Sequence, residues 1–235
     1  MSSAAKPTER RVYFLLALIM VATVVWGFWR SYYGPIVRGN MDQPWIIHVH
    51  AAAFTVWMLL FLVQTSLASL GRKDLHQRVG MVVMSYGLMV LAIGIAAGIA
   101  MPVKRVLAGQ MPLDRAALVA LYNLTDILAF GGFLLAAALR RRQPEWHKRL
   151  IICAMVALTG AAVGRVLPSG SFLYLFLWLL PLALMIATDM VRLRRLHPVS
   201  VIGVLVFAVV ANKVLIMSAS PVWRNIGGTL IRPFL

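Results

Sequence analysis

The sequence predicts an all-α protein, a polytopic transmembrane helix bundle with about seven spans. Of its 235 residues, 61% are hydrophobic and 13% are charged, and the mean hydropathy is +0.85. A soluble domain holds about 45–50% apolar and about 25% charged residues, and a soluble fold of this length cannot bury the excess. The lipid bilayer is therefore the expected surroundings of a single transmembrane domain over 1–235, with a short cytoplasmic tail over 1–11.

Seven apolar runs are each long enough to cross the roughly 30 Å hydrocarbon core of a bilayer. Each run must be a helix, because lipid offers no partner to the open edge of a strand. The first run ends in aromatic residues and Arg30, without a small-residue cleavage site, so we interpret it as a span and not as a removed signal peptide. The predicted spans are Val12–Trp29, Ile46–Leu70, Val79–Met101, Ala116–Leu139, Leu150–Leu167, Phe172–Val191 and Val199–Ser218.

The basic residues are distributed unevenly among the connections between these runs. The formal net charge is +16, from 23 Lys and Arg residues against 7 Asp and Glu residues. About 14 of the basic residues lie in the N-terminus and in every second connection, and about 8 lie on the alternate side. The positive-inside rule then predicts a cytoplasmic N-terminus and an outer C-terminus in a bacterial-type inner membrane. Because topology accounts for the charge, no nucleic-acid partner is predicted.

The five histidines fall into two layers about one bilayer thickness apart. His48 and His50 lie at the outer end of the second span, whereas His76, His147 and His197 lie at the cytoplasmic start of the third, fifth and seventh spans. The inner three are either interfacial residues of a first helical turn or ligands of a haem or a transition metal. The outer two point about 200° apart on a helix, so at most one faces the bundle, as a ligand, a proton-handling group or an interfacial residue.

A weak internal repeat accompanies the inner histidines. The segments DLHQR over 74–78, EWHKR over 145–149 and RLHP over 195–198 each end a cytoplasmic connection and open an inside-to-outside helix. This pattern predicts a first helix followed by three helical hairpins.

Asp126 lies deep within the fourth span, where a carboxylate is costly and normally faces a partner or water. Tyr122 and Asn123 precede it by four and three residues and therefore share its helix face. The candidate partners of this face are Lys213 in the seventh span and Arg165 near the outer end of the fifth. Two interpretations stay open, a polar cavity for a small molecule and an ion pair that serves packing and assembly.

Two glycine motifs predict close helix packing. Gly94 and Gly98 in the third span, and Gly160 and Gly164 in the fifth, have the four-residue spacing that lets membrane helices touch backbone to backbone. The contacts they predict lie within the chain, in a homo-oligomer or with another membrane-protein partner.

Other features restrict the chemistry. Asp189, beside Arg192 near the cytoplasmic end of the sixth span, is expected to form an interfacial pair of little functional weight. Cys153 is the single cysteine and lies in an apolar run, so it is expected to act as a small hydrophobe. Phosphate-binding loops, HExxH motifs and nucleophile elbows do not occur in the sequence. Redox chemistry is therefore the one enzymatic activity with support.

Three segments carry a family resemblance: HVHAAAFTVWMLLFLVQTSL over 48–67, LHQRVG over 75–80 and EWHKRL over 145–150. From about Trp45 to Arg165 the chain resembles a group of uncharacterised bacterial multi-pass membrane proteins. It is also similar to b-type cytochrome-like and oxidase-assembly membrane families, which place histidines at helix ends. The resemblance implies a haem- or metal-linked redox or assembly function. Since the outer histidines lie on one span only, the site it implies is a haem held by two of the three inner histidines.

Three functions are therefore open from the sequence. The first is a membrane redox, haem- or metal-handling protein that uses the inner histidines. The second is a transporter or small-molecule-binding bundle that uses the polar residues around Asp126. The third is a structural subunit of a larger membrane complex.

Overall fold

The computed structural model describes residues 7–40 and 42–235, with side chains from residue 9 onwards. Helices make up 85% of the described residues, which contain no strand, so the all-α class is confirmed. The α-helices are α1 (Pro7–Phe28), α2 (Gly34–Val37), α3 (Trp45–Ser69), α4 (Lys73–Leu107), α5 (Leu113–Leu139), α6 (Pro144–Val163), α7 (Phe172–Leu193), α8 (Pro198–Ala211), α9 (Lys213–Ser218) and α10 (Pro221–Ile231).

Six helices in the described part of the chain are long and apolar enough to cross a membrane, and they coincide with the first six predicted spans. Several of them are longer than the apolar run alone, because flanking polar residues continue the helix. α4 covers 35 residues, about 52 Å. α1 begins at Pro7 and therefore contains residues 7–11 of the predicted tail, while residues 1–6 of that tail lie outside the described residues. A π-helical turn, Trp29–Tyr33, joins α1 to α2.

The seventh predicted span, Val199–Ser218, is divided between two helices. α8 has 14 residues, about 21 Å, which is shorter than the apolar thickness of a bilayer. Asn212 separates it from α9. α10 then packs on the first turns of α5, where Gly227 touches the backbone of Ala117. α5 and α7 run in the same direction, so the end of α7 and the start of α5 lie at opposite ends of the bundle. Since α10 packs at the start of α5, the chain crosses the bundle between α7 and α10, and it does so in two helices, α8 and α9.

α6 is the central helix of the bundle. It contacts α1, α5, α7 and α8, and every side chain from Ile152 to Ala157 is buried. A helix that is apolar on all sides belongs in a core, and Cys153 is buried there as predicted. The first turn of α6 is polar, so the central position of this helix brings His147 and Arg149 between the ends of its neighbours.

Three of the four motif glycines are buried within the bundle: Gly94, Gly98 and Gly160. A Cβ atom on Gly94 would lie 2.5 Å from Ile127 of α5, and one on Gly160 would lie 2.9 Å from Trp178 of α7. These glycines therefore pack helices of the same chain, while Gly164 is exposed. A partner subunit that used the three buried positions would have to displace one of this chain's own helices.

Candidate functional site

One end of the bundle gathers the segments that the sequence assigns to the cytoplasmic side. We call it the histidine end, and it consists of the first turns of α1, α4, α6 and α8 and the last turn of α7. Glu9 of α1 is paired there with Lys148 of α6 and Arg192 of α7. The rings of His76 and His147 contact each other at the same end.

His76 and His147 form a pair with one shared chemical property. Their ring centres are 6.4 Å apart and their planes are inclined by 77°. The Nδ1 atom of His76 lies 3.2 Å from the carbonyl oxygen of Gln64, and that of His147 lies 2.9 Å from the carbonyl oxygen of Ala137. A carbonyl oxygen only accepts, so each Nδ1 carries a proton and donates it. Each neutral ring therefore keeps the lone pair of Nε2 for another partner.

These two hydrogen bonds repeat one structural motif. In the α3–α4 hairpin and again in the α5–α6 hairpin, a histidine in the first turn of the second helix donates to a carbonyl near the end of the first helix. The contacts agree with the predicted repeat for two of the three hairpins. His76 and His147 each join the two helices of their own hairpin, and the contact between their rings joins the two hairpins to each other.

His197 departs from the motif and lies apart from the pair. It precedes Pro198 and caps α8, because its Nδ1 accepts the N–H of Val199 at 3.2 Å. Its ring contacts Trp146, with the centres 5.2 Å apart. Burial, and next the neighbouring Arg149 guanidinium, lower the pKa of His197 below its ordinary value of 6.5. Of the three inner histidines predicted as ligands, the structure thus brings together two.

Gln64 adds an unpaired polar group beside this pair. Its main-chain oxygen accepts from His76, while its side chain is buried and its amide nitrogen and oxygen have no hydrogen-bond partner among the described residues. The amide oxygen lies 3.8 Å from the position of a Cβ on Gly80, one helical turn after His76. Buried polar groups are normally hydrogen-bonded, so this amide can bind a ligand or a water molecule next to the histidines.

The most deeply buried ion pair at the histidine end joins Arg149 to Asp189. The guanidinium is fully buried and the carboxylate is 1% exposed. Nε of Arg149 donates to Asp189 at 2.8 Å, and Nη2 donates to the second carboxylate oxygen. Nη1 donates to the main-chain and side-chain oxygens of Glu145 at 2.6 and 2.8 Å. Ser200 of α8 donates to Asp189 at 3.1 Å, so this pair ties α6, α7 and α8 together.

Glu9 extends the same network to α1. It is 4% exposed and accepts from both Lys148 and Arg192. Lys148 also donates to Glu145 at 2.7 Å. We call these six side chains the inner network; it consists of Glu9, Glu145, Asp189, Lys148, Arg149 and Arg192, and its formal charges sum to zero.

The inner network corrects two expectations. Asp189 is not paired with Arg192, the neighbour along its own helix, and it is not at an exposed interface; its partner is Arg149 of α6. Glu9 lies within the predicted tail over 1–11, yet it is a buried residue of α1. The sequence contains a signal for these ion pairs. The chain has only 7 Asp and Glu residues, and any of them that is buried requires a cationic partner.

Of the two candidate partners of Asp126, Lys213 forms the ion pair. The Lys213 ammonium donates to the Asp126 carboxylate and, at 3.2 Å, to the carbonyl oxygen of Tyr122. Asn123 donates to the carbonyl oxygen of Gly98 on α4 at 3.3 Å. The polar face of α5 therefore binds α9 and α4, which is what the packing interpretation predicts.

Arg165 does not join this group. Its guanidinium lies over the ring of Phe28, 4.5 Å from the ring centre, and it makes no ion pair with Asp126 within the described residues. Burial, and next the charge of Arg105, lower its pKa. The five residues of the predicted polar cavity thus reduce to four, and the charge of Asp126 is already matched by Lys213.

The outer histidines lie on different faces of α3, as their spacing predicts. The Nδ1 atom of His48 is 3.1 Å from the hydroxyl of Tyr32. His50 packs on Phe54 with ring centres 4.2 Å apart, and its buried Nδ1 has no hydrogen-bond partner among the described residues. The two rings face different neighbours, so this layer offers no histidine pair.

The fold and these contacts define a polytopic α-helical membrane bundle with a histidine pair and a charge network at one end. Within the described residues, no group of three or more His, Cys, Asp or Glu side chains could hold a metal ion. Comparisons with protein-family models, curated proteins and solved structures find no match for this chain. Its function must therefore be argued from the site itself.

Proposed function

We propose that this protein is an inner-membrane redox or assembly protein that holds a haem or a transition-metal ion between His76 and His147. The observation that carries the proposal is the T-shaped contact of the two rings, each with Nδ1 donating to a main-chain carbonyl. That second bond is typical of metal-binding histidines, because it sets the tautomer and the ring orientation. Haem or a redox metal would supply one-electron chemistry within the membrane, while the chain binds and orients it.

The two imidazoles are close enough that both would hold one bound group. Each would offer the lone pair of Nε2, because Nδ1 of each ring donates to a main-chain carbonyl. The observed separation of His76 and His147 is 6.4 Å. Two histidines are also enough for a haem, which supplies the four remaining ligands itself, whereas a bare ion needs further donors. Gln64, whose main-chain oxygen accepts from His76, has buried side-chain polar atoms without a hydrogen-bond partner among the described residues.

The test is the spectrum and metal content of the purified protein. We expect a haem absorption band, or about one equivalent of metal, in the wild-type protein and after reconstitution with haemin, copper or zinc. His76→Ala and His147→Ala should each lose it. His197→Ala is the matched control, because that imidazole caps α8 outside the pair and its loss should leave the bound group in place.

A structural effect of the substitutions can be separated from a loss of ligands. Replacement by glycine removes the imidazole, and free imidazole added to His147→Gly should restore the absorption band if the ring acts as a ligand. Wild-type protein that is colourless and metal-free and does not bind any of the three additives would overturn the proposal. Equal binding in the His76 and His197 variants would overturn it as well.

The orientation belongs to the same proposal. The basic segments cluster at the histidine end, so we place that end in the cytoplasm according to the positive-inside rule. A reporter enzyme that is active only outside the inner membrane should then be active when fused after Leu235 and inactive when fused before α1. The reverse pattern, or equal activity of the two fusions, would contradict this placement.

A further inference from the structure

A groove on the side of the bundle lies between α5, α6 and α8. Its volume is about 440 Å³, within the range of small-molecule sites. The walls are apolar and come from three helices, with Gly132 and Ala136 of α5, Leu150 of α6, and Ile202 and Val206 of α8 among them. It extends along α5 from Ala129 to Arg140, a rise of about 16 Å, which is the scale of a lipid acyl chain.

The groove is open where a side chain would otherwise fill it. Gly132 is exposed, and a Cβ atom on this residue would have nothing within 4 Å. On the other helix face Gly131 is buried, and a Cβ there would lie 2.8 Å from Leu91. Gly131 therefore allows α4 and α5 to pack closely, while Gly132 leaves the groove between α5 and α8 unfilled.

The mouth of the groove is cationic and lies at the histidine end. Arg140 lines it, and its guanidinium lies 4.9 Å from the ring centre of Trp146, a second lining residue. Arg141 and Arg142 follow Arg140 directly and are exposed. Glu145 is the acid in this connection, and Lys148 and Arg149 already neutralise it. The mouth therefore carries a net positive charge that no acid among the described residues offsets.

We infer that this groove binds one anionic phospholipid, with an acyl chain between α5 and α8 and its phosphate at Arg140. Basic pockets between membrane helices at the cytoplasmic side bind anionic headgroups, and the apolar length below the charge matches the chain attached to such a headgroup. Trp146 fits the level of the headgroups, where its ring has an apolar body and a polar edge. This site is separate from the histidine pair and does not depend on it.

The test is retention of lipid by the full-length protein, measured by native mass spectrometry from nanodiscs of equal phosphatidylglycerol and phosphatidylcholine. We expect one phosphatidylglycerol per protein to be retained in preference to phosphatidylcholine. Gly132→Leu places a side chain in the groove at a position where a Cβ atom has nothing within 4 Å, and it should abolish retention. Arg140→Gln removes the headgroup partner and should weaken it about fivefold. Arg195→Gln removes an exposed charge from another connection and should leave retention unchanged.

Each alternative outcome counts against the lipid site. Equal retention of the two lipids would show that the mouth does not select a headgroup. Retention that survives Gly132→Leu would place the lipid elsewhere on the bundle. Equal losses in Arg140→Gln and Arg195→Gln would attribute the effect to overall charge. A different apolar molecule in the groove of the purified protein would identify another occupant. The three variants should have the same midpoint of thermal unfolding as the wild type, which excludes a folding defect as the cause of reduced lipid retention.

Discussion

The inner network and the pair of Asp126 and Lys213 are both ion-pair clusters that join helices, yet they are built differently. Arg149 donates four hydrogen bonds from a fully buried position, two to Asp189 and two to Glu145. Asp126 receives one ion pair near the middle of α5, and its side chain is 25% exposed. At the histidine end α1, α6, α7 and α8 together supply the partners of the charges, whereas α9 supplies the ion-pair partner of Asp126.

This difference shows where a membrane bundle can hold charge at low cost. A buried ion is stabilised only when its remaining donors and acceptors are also satisfied, and helix ends offer both side chains and free main-chain carbonyls. The inner network therefore ties α1, α6, α7 and α8 into one unit. The pair at Asp126 joins only α5 to α9. The predictions that follow test this contrast, from the largest expected effect to the smallest.

Arg149→Met should be the most destabilising single change. It leaves Asp189 buried with one hydroxyl partner, and breaking a buried ion pair costs about 3–5 kcal/mol. Thermal unfolding in detergent, followed by tryptophan fluorescence, should show a large fall in the midpoint. Arg195→Met is the control, because Arg195 is exposed. The double variant Arg149→Met with Asp189→Leu should recover much of the loss, and a double variant as unstable as Arg149→Met would contradict the pairing.

Asp126→Asn should have a smaller effect on the same midpoint. The carboxylate is only partly buried and Lys213 keeps the carbonyl of Tyr122 as an acceptor, so we expect a loss of about 1–3 kcal/mol. Asp114→Asn removes an exposed acid from the first turn of the same helix and should change little. If Asp126→Asn costs as much as Arg149→Met, the contrast between the two clusters is wrong.

His197 should give the smallest effect, visible as a pH dependence of stability. Its pKa in the folded protein is below 6.5 because of burial and the neighbouring Arg149, even though Asp189 and Glu145 act in the opposite direction. The unfolded chain therefore binds a proton first as the pH falls, and the stabilisation present above pH 6.5 is lost progressively below it.

The measurement compares the wild type with His197→Asn between pH 8 and pH 5. Asparagine also caps a helix but does not titrate, so it should keep the stability at pH 8 and show a shallower decline than the wild type. Parallel declines of the two proteins would mean that other groups cause the pH dependence.

The fold and one of the charge pairs were predictable, for physical reasons that differ. Apolar runs predict the long helices because the bilayer requires about twenty apolar residues per crossing. The pair of Asp126 and Lys213 was predictable because each is a charge in an otherwise apolar segment, and few partners exist at that depth. The division of the last run at Asn212 was not predictable from hydropathy, since α8 and α9 are both apolar.

The partners at the histidine end were not predictable from local sequence. Arg192 is near Asp189 along the chain, yet the bundle packs Asp189 against Arg149, 40 positions away. Likewise, His76, His147 and His197 occupy equivalent places in the sequence pattern, but only two of them face each other. The third is preceded by a different connection and caps its helix instead. Such differences arise from how neighbouring helices are placed around α6.

The sequence separation of these contacts has a consequence for biogenesis. The histidine-to-carbonyl bonds of the two hairpins span only 12 and 10 positions, which a ribosome at about 5–20 residues/s completes in about 2 s or less. Lys213 is synthesised 87 positions after Asp126, roughly 4–17 s later at the same rate. Each hairpin can therefore enter the membrane as a closed unit, while the Asp126 carboxylate has no counter-ion until the chain has been synthesised as far as Lys213.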